Sequence, residues 1–336
     1  MPALMAWILH SASCPLRENL VQNGLCRFLD IKCRIWVFDR MQASRRLIAM
    51  ITNLRSPKSL LFFSAVSLLA CLGATTAQAA LTTGLEANWR LDETSGAFAD
   101  ATGNGHTGTA VGSPWGSGTN GLLDGAVALN GSTDWVRSGD MANFAITDSF
   151  SGSMWLKLDA NPTEFNFFMG QQSTDGGVAG WRVGNGDVHN RSRVRLILQD
   201  GNSSTYLDSP EGTLNSTDWL HLAFTYNGVG HRGGMVLYVN GVALASAGGH
   251  NNLTINSDIT TATGTNFSIG ARDADGGGTV AGLIDEVGLW NRVLTQEEVT
   301  TLYNGGSGMQ IIPEPATTAA LLLTVVFGLT VMRCRR

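Results

Sequence analysis

Four residues have the types and placement to hold a hard cation together. Asp100 and Asn104 lie in Asp100–His106, DATGNGH, and Asp285 lies inside the apolar run Gly282–Leu289. Calcium takes about six to eight oxygens from carboxylates, amides and backbone carbonyls. The first segment offers a carboxylate, an amide oxygen and a glycine-rich backbone that can turn its carbonyls inward, His106 contributing a backbone carbonyl. A carboxylate inside an apolar strand needs a partner, which makes Asp285 the second carboxylate. Asp100, Asn104, His106 and Asp285 are therefore expected to bind a structural Ca2+. In the competing reading Asp100 and Asn104 cap turns and Asp285 caps backbone amides. Glu286 should point to the opposite face of the strand, where it is solvated or paired with an arginine such as Arg292.

Sugar binding would need exposed aromatic rings. Trp115, after Pro114 in a glycine-rich loop, Trp181, and Tyr206 in a serine-rich loop are the candidates. Trp89, Trp155, Trp219 and Trp290 alternate within apolar strands and are assigned to the core. Catalysis has less support. Between Ala80 and Ile312 there is no cysteine and no G-x-S-x-G, and His106, His189, His221, His231 and His250 lack metal-ligand spacing. An enzyme would need two of Asp148, Asp159, Glu164, Asp187 and Asp208 to converge on one face.

The elements that must position these residues are strands. Short runs of alternating or β-prone residues recur, among them Leu85–Leu91, Ser151–Leu158, Val194–Gln199 and Trp219–Tyr226, separated by Gly, Asn and Asp. Asn240-Gly241 between Met235–Val239 and Val242–Ala247 is the strongest hairpin signal. Helix is expected only near the end. Thr295 is its N-cap, Glu298 its capping-box partner, Val299, Leu302 and Tyr303 its apolar face, and Gly305-Gly306 its stop. The pattern predicts an all-β antiparallel β-sandwich with one short C-terminal helix.

The body from Ala80 to Ile312 carries 10 basic and 23 acidic residues, a net of −13, against −5 for the whole chain of 336. Such acidity excludes nucleic acid as a partner, which requires a basic face. All five cysteines lie outside the body. Arg45, Arg46, Arg55 and Lys58, the apolar Ser59–Gly73 and Ala77-Gln78-Ala79 follow the order of a secretory signal. Residues 1–40 are read as a mis-called extension ahead of a start at Met41 or Met50, or alternatively as a cytoplasmic segment. After Pro313-Glu314-Pro315, residues 316–332 are uncharged and Arg333-Cys334-Arg335-Arg336 ends the chain. That is a short membrane-spanning helix with a basic cytoplasmic end. The expected organisation is extension 1–40, signal peptide 41–79, β-sandwich 80–306, linker 307–315, and transmembrane helix with basic tail 316–336.

The triplet Pro313-Glu314-Pro315, the apolar span and the basic finish resemble a PEP-CTERM sorting signal. That resemblance implies processing by a membrane exosortase in a Gram-negative, exopolysaccharide-producing bacterium, with release of the body to the cell surface or extracellular matrix. Trp89-Arg90-Leu91-Asp92-Glu93, Asp100 with Gly103-Asn104-Gly105, Asp218-Trp219-His221-Leu222-Ala223, Leu237–Gly241 and Gly282–Val287 with Leu294–Glu298 resemble a laminin-G-like domain of the concanavalin A-like lectin/glucanase superfamily. This implies a jelly-roll sandwich. In similar domains a structural calcium is held between the opening loop and the closing strand. The superfamily's glucanases carry E-x-D-x-x-E or E-x-D-x-E on one strand, and neither occurs here. The expectation is a non-catalytic module binding extracellular polysaccharide or a surface protein. The alternatives are a glycan-active enzyme and a purely structural matrix protein.

Overall fold

The structure, a computed structural model, describes residues 80–115, 121–173, 179–186, 189, 191–201, 203–244, 265–273 and 275–312. The expected extension, signal peptide, Pro313-Glu314-Pro315 motif and membrane helix lie outside the described residues. Among the described residues no helix is long and apolar enough to cross a membrane.

The strands, in chain order, are β1 (Leu85–Trp89), β2 (Ala97–Phe98), β3 (Gly108–Val111), β4 (Val127–Asn130), β5 (Trp135–Arg137), β6 (Ser149–Leu158), β7 (Phe167–Gln172) and β8 (Ala179–Asn185). After them come β9 (Val194–Asp200), β10 (Ser204–Asp208), β11 (Leu220–Asn227), β12 (Met235–Val239), β13 (Val242–Ala243), β14 (Ser268–Ile269) and β15 (Ala281–Trp290). Helix α1 (Gln296–Tyr303) follows. Among the described residues they form two antiparallel sheets. One runs β1-β15-β6-β11-β12-β13, with β4 also paired to β15; the other runs β10-β9-β8-β7-β14-β5-β3-β2. The predicted β-sandwich is therefore present.

The main core lies between the sheets. Trp89, Met154, Leu156, Leu222 and Phe224 from one side meet Phe168, Trp181, Val183, Leu196 and Leu198 from the other. A second apolar cluster of Trp290, Leu294, Val299, Leu302 and Ile311 covers the opposite face of the first sheet. Helix α1 belongs to this cover. Its capping box is formed, with Glu298 N–H donating to Thr295 Oγ1 at 3.2 Å and Thr295 N–H to Glu298 Oε2 at 2.8 Å. Its stop differs from expectation: Asn304, ahead of the two glycines, takes the left-handed cap conformation with φ 47°. The Asn240-Gly241 hairpin is present between β12 and β13, with φ 50° and 77° at the two turn residues, as a two-residue turn of primed type requires.

The body also extends beyond the expected boundary at residue 306. Ile311 is 1% exposed, and Arg90 Nη2 donates to the Ile312 carbonyl at 2.6 Å. Residues 307–312 are thus part of the packed domain rather than linker, because an apolar side chain there completes the second cluster.

Candidate functional site

Strand β15 is ten residues long, and two short strands share one of its edges. β4 pairs Val127 with Ile284, and β1 pairs Trp89 with Val287. Asp285 and Glu286 fall in the gap between them. The register to β6 on the other edge shifts there, from Asp285 opposite Trp155 to Gly288 opposite Ser153, one residue more than plain pairing allows. Glu286 sits in this bulge with φ 49°. A bulge breaks the alternation of faces, and this corrects the expectation for Glu286. It is 3% exposed, neither solvated nor paired with Arg292, whose guanidinium instead holds Glu298 at 2.7 Å.

Asp285, fully buried, accepts at Oδ2 from the N–H groups of Leu122 (2.8 Å) and Leu123 (3.0 Å). Its Oδ1 and both carboxylate oxygens of Glu286 are buried without a hydrogen-bond partner. Burial lifts the Asp285 carboxyl to about 7, with the charge of Asp92 adding to the rise. Burial, then the charges of Asp285 and Asp92, lift Glu286 to about 9. Asp285 thus anchors the backbone of Leu122 and Leu123 in the gap of the sheet edge, with Glu286 enclosed beside it.

The opening loop uses its oxygens on the protein itself. Asp100 Oδ1 accepts from Asn88 N–H (3.2 Å), Thr102 N–H (3.0 Å) and Thr102 Oγ1 (2.7 Å), and Oδ2 accepts from His106 N–H (3.1 Å). These bonds hold its pKa below the ordinary value although burial pushes it up. Asn104 Nδ2 donates to the Glu86 carbonyl at 2.8 Å. The His106 carbonyl accepts from Trp89 Nε1 (2.7 Å) and Ser138 Oγ (2.8 Å). The Asp100 carboxylate and the His106 carbonyl are thus engaged within the chain, while Asn104 is tied by its nitrogen and not by the oxygen a cation would need. Asp100 performs the turn-capping role of the competing reading, and Asp285 its amide-capping role. Among the described residues no group of three or more His, Cys, Asp and Glu side chains is arranged to hold a metal ion.

The aromatic candidates divide. Trp181 is fully buried, with its Nε1 donating to the Ala142 carbonyl at 3.1 Å, so it offers no face to a ligand. It alternates with Gly180 and Arg182, and the alternation sends Trp181 into the core. Trp115 is partly buried, stacks on Phe98 at 5.1 Å and packs against the main core. Tyr206 lies on β10, not in a loop, and is partly exposed. Trp219, expected in the core, is partly exposed as well.

Tyr206 opens a row that sequence reasoning missed. Cross-strand partners share a face, and β10, β9 and β8 turn Leu207, Val194, Leu196, Leu198, Trp181 and Val183 inward. Their alternates face outward on the second sheet. One row runs Tyr206–Ile197–Arg182–Gly170–Ser268–Arg137, strand by strand. A neighbouring row is Asp208–Arg195–Gly184, and another is Ser204–Gln199–Gly180–Gln172. Arg195 grips Asp208 through two bonds, 2.6 and 2.8 Å, and lies 3.9 Å from the Tyr206 ring centroid. Arg182 lies 4.5 Å from the Phe165 ring centroid, and its Nη1 is buried with no partner. Gln172 Nε2 donates to Gln199 Oε1 at 2.7 Å, while Gln172 Oε1 is buried and unpartnered. The available signal was charged residues alternating with core residues in AGWRVGN and VRLILQD.

Of the five carboxylates from which an enzyme would need two, four lie among the described residues. Asp148 and Asp159 flank the ten-residue β6, which separates them by about 36 Å at about 3.3 Å per residue. Asp148 Oδ2 closes a turn on Ala145 N–H at 2.9 Å, Asp208 is held by Arg195, and Glu164 is exposed. Asp187 lies outside the described residues.

Solved structures of similar fold include domain 4 of AbnA, a GH43 extracellular arabinanase from Geobacillus stearothermophilus, in complex with arabinotriose. It is 24% identical, with a TM-score of 0.45, covering 64% of this chain and 96% of that domain. The receptor binding domain of botulinum neurotoxin D is 17% identical with a TM-score of 0.49, and the binding domain of Paraclostridial Mosquitocidal Protein 1 is 16% identical with a TM-score of 0.47. Each match covers 67% of this chain, and 54% and 53% of the respective toxin domains, so the chain spans about half their length. These likenesses are too distant to carry a function. No curated protein matches the chain. The Laminin_G_3 model, described as concanavalin A-like lectin/glucanases superfamily, matches residues 130–300. That is half of the chain, spanning β4 to the middle of α1, and the protein belongs to this family.

Proposed function

We propose that this protein is an exported, non-catalytic binding module for carbohydrate of the cell surface or extracellular matrix. The observation that carries the reading is the outer face of the β10-β9-β8-β7 half of the second sheet. It joins the partly exposed Tyr206 to Arg182 and Gln172, each with a buried polar atom that lacks a partner. The first sheet has apolar clusters on both faces, whereas this face is polar and is partly exposed at Tyr206, Arg182, Gln199 and Ser204. A buried polar group without a partner costs about 1–3 kcal/mol, and a ligand's hydroxyl or carboxylate would remove that cost. Among the described residues of these strands the carboxylate on this face, Asp208, is bound to Arg195.

A glycan array and a reducing-end release assay on the full chain test the reading. Retention of glycans without release of new reducing ends is expected. Turnover would establish the enzyme alternative, and no retention on any glycan would favour a purely structural matrix role. The segments before residue 80 and after residue 312 support export by a signal peptide and exosortase processing at Pro313-Glu314-Pro315. Cell fractionation followed by terminal sequencing should find the body outside the inner membrane, starting near Ala80 and ending near the triplet. A cytoplasmic, full-length product would overturn this part.

A further inference from the structure

We propose that the ligand of this face is an anionic, uronate-bearing polysaccharide, and that Arg182 is the residue that meets its carboxylate. The inference rests on the binding function proposed above and narrows its ligand class.

The domain is strongly acidic, yet three of the four charges that act on Arg182 are cationic, Arg195, Arg272 and Arg191, with Asp208 opposing them. Arg195 and Arg272 each have a carboxylate of their own, Asp208 and Asp275 at 2.6 and 2.5 Å. Among the described residues no carboxylate forms an ion pair with Arg182. Burial, then the neighbouring guanidinium charges, push its pKa down to about 9, so its charge is poorly compensated. A guanidinium is planar and matches a carboxylate through two parallel N–H donors, and the Phe165 ring 4.5 Å beneath fixes its plane.

Gly170 and Gly184 border Arg182 on the adjoining strand positions. A Cβ at Gly184 would lie 2.8 Å from Arg182 Nη1, and one at Gly170 would lie 2.7 Å from Arg182 Cα. The surroundings leave room for the arginine and little else, since a Cβ at Gly184 would also lie 2.3 Å from the Asn166 carbonyl oxygen and one at Gly170 2.4 Å from that of Trp181. Gln172, only 2% exposed, has given its N–H group to Gln199 and keeps a buried oxygen without a partner beneath the face. A cation and a partly exposed tyrosine on one sheet face are groups that recognise an acidic sugar.

The test compares polygalacturonate, alginate and hyaluronan with their methyl esters, which keep the backbone and remove the charge, using the full chain. At least one free acid should bind, its ester about ten-fold or more weaker. Arg182→Gln should weaken the free acid by a similar factor, and Arg182→Lys by less. Lys157→Gln removes the same charge from β6 of the other sheet and should change binding by less than about two-fold. Gln172→Glu, which keeps Arg182 and places an anion beside it, should also weaken binding about ten-fold, so the result does not hang on one variant folding. Equal binding of acid and ester, or tight binding by folded Arg182→Gln, overturns the anionic assignment and leaves glycan binding standing. Binding of neutral glycans alone does the same. Binding of no glycan overturns both readings.

Discussion

Asp285 and Asp92 hold one loop from two sides. Asp285 Oδ2 accepts the N–H groups of Leu122 and Leu123 at 2.8 and 3.0 Å, and Asp92 Oδ1 accepts that of Gly125 at 2.7 Å. The loop stands in for a strand where neither β1 nor β4 reaches β15. Backbone donors at a sheet gap must be paired with something, and here two carboxylates supply the acceptors. The family's opening segment and closing strand are thus joined by peptide N–H groups.

Replacing Asp285 should separate the acceptor from its charge. Asp285→Ala leaves two buried N–H groups unpaired and should cost about 3 kcal/mol or more. Asp285→Asn keeps an oxygen in the same place and should cost less than about 1 kcal/mol at pH 8, because burial already disfavours the ionised form. Urea unfolding of both variants checks this. An Asn variant as damaged as the Ala variant would mean that the negative charge is what the loop requires.

Stability should respond to pH in two opposed limbs. The raised pKa values of Asp285 and Glu286, about 7 and about 9, mean that the native carboxyls keep protons which the unfolded chain has released. Their contribution is complete in acid and drains as pH rises from about 4 toward those folded values. His221 acts the other way. It is 1% exposed and burial lowers it to about 3. Its neutral ring supports the fold above about pH 6.5, and that support is lost as pH falls toward 3, by about 1.4 kcal/mol per unit. Glu286→Gln should flatten the alkaline limb and His221→Gln the acid limb in unfolding midpoints measured from pH 4 to 9. A flat profile for the parent chain would contradict both.

Calcium should leave the domain unchanged. The Asp100 carboxylate accepts four bonds from its own chain, and the His106 carbonyl accepts two. An ion would have to displace them. Melting with 1 mM EDTA and with about 10 mM CaCl2 should give the same Tm within about 1 °C, the resolution at which bound ligand would register through mass action. A clear rise with calcium at pH 8, absent from Glu286→Gln, would show that the buried pair binds the ion.

Much of the fold was legible because it rests on local signals. Thr295 and Glu298 announce a helix start by their spacing, Asn240-Gly241 announces a hairpin, and alternation marks the long strands. The departures come from what two-residue periodicity hides. The one-residue bulge at Glu286 turns a residue assigned to solvent into a buried one, and no local pattern in LIDEVGL marks it. Trp181, a candidate for exposure, shares its face with Val183, and that parity sends it into the core. Tyr206 looked like loop because Ser203, Ser204 and Thr205 precede it, yet β9 provides a full edge to pair with. The outer row from Tyr206 to Arg137 draws on six strands far apart in the chain, and only topology assembles it.

The end of the domain offers a sharp check on that topology. Ile311 is 1% exposed beside Trp290, and a Cβ at Gly288 would lie 2.5 Å from the Ile311 side chain. The Ile312 carbonyl takes a hydrogen bond from Arg90, and Asn304 Nδ2 reaches the Gly308 carbonyl at 2.8 Å. A chain cut after Gly306 loses this isoleucine and uncovers Trp290, whereas one cut after Ile312 keeps both. Burying an isoleucine contributes about 1.5–3 kcal/mol, so the shorter chain should be less stable than the longer by at least about 2 kcal/mol in urea unfolding. Ile311→Ala in the longer chain should reproduce most of that loss, since it removes the same side chain from the same pocket. Equal stability of the two chains would return residues 307–312 to the role of a linker. A loss confined to the shorter chain places the end of the folded body, and any processing that spares it, beyond Ile312.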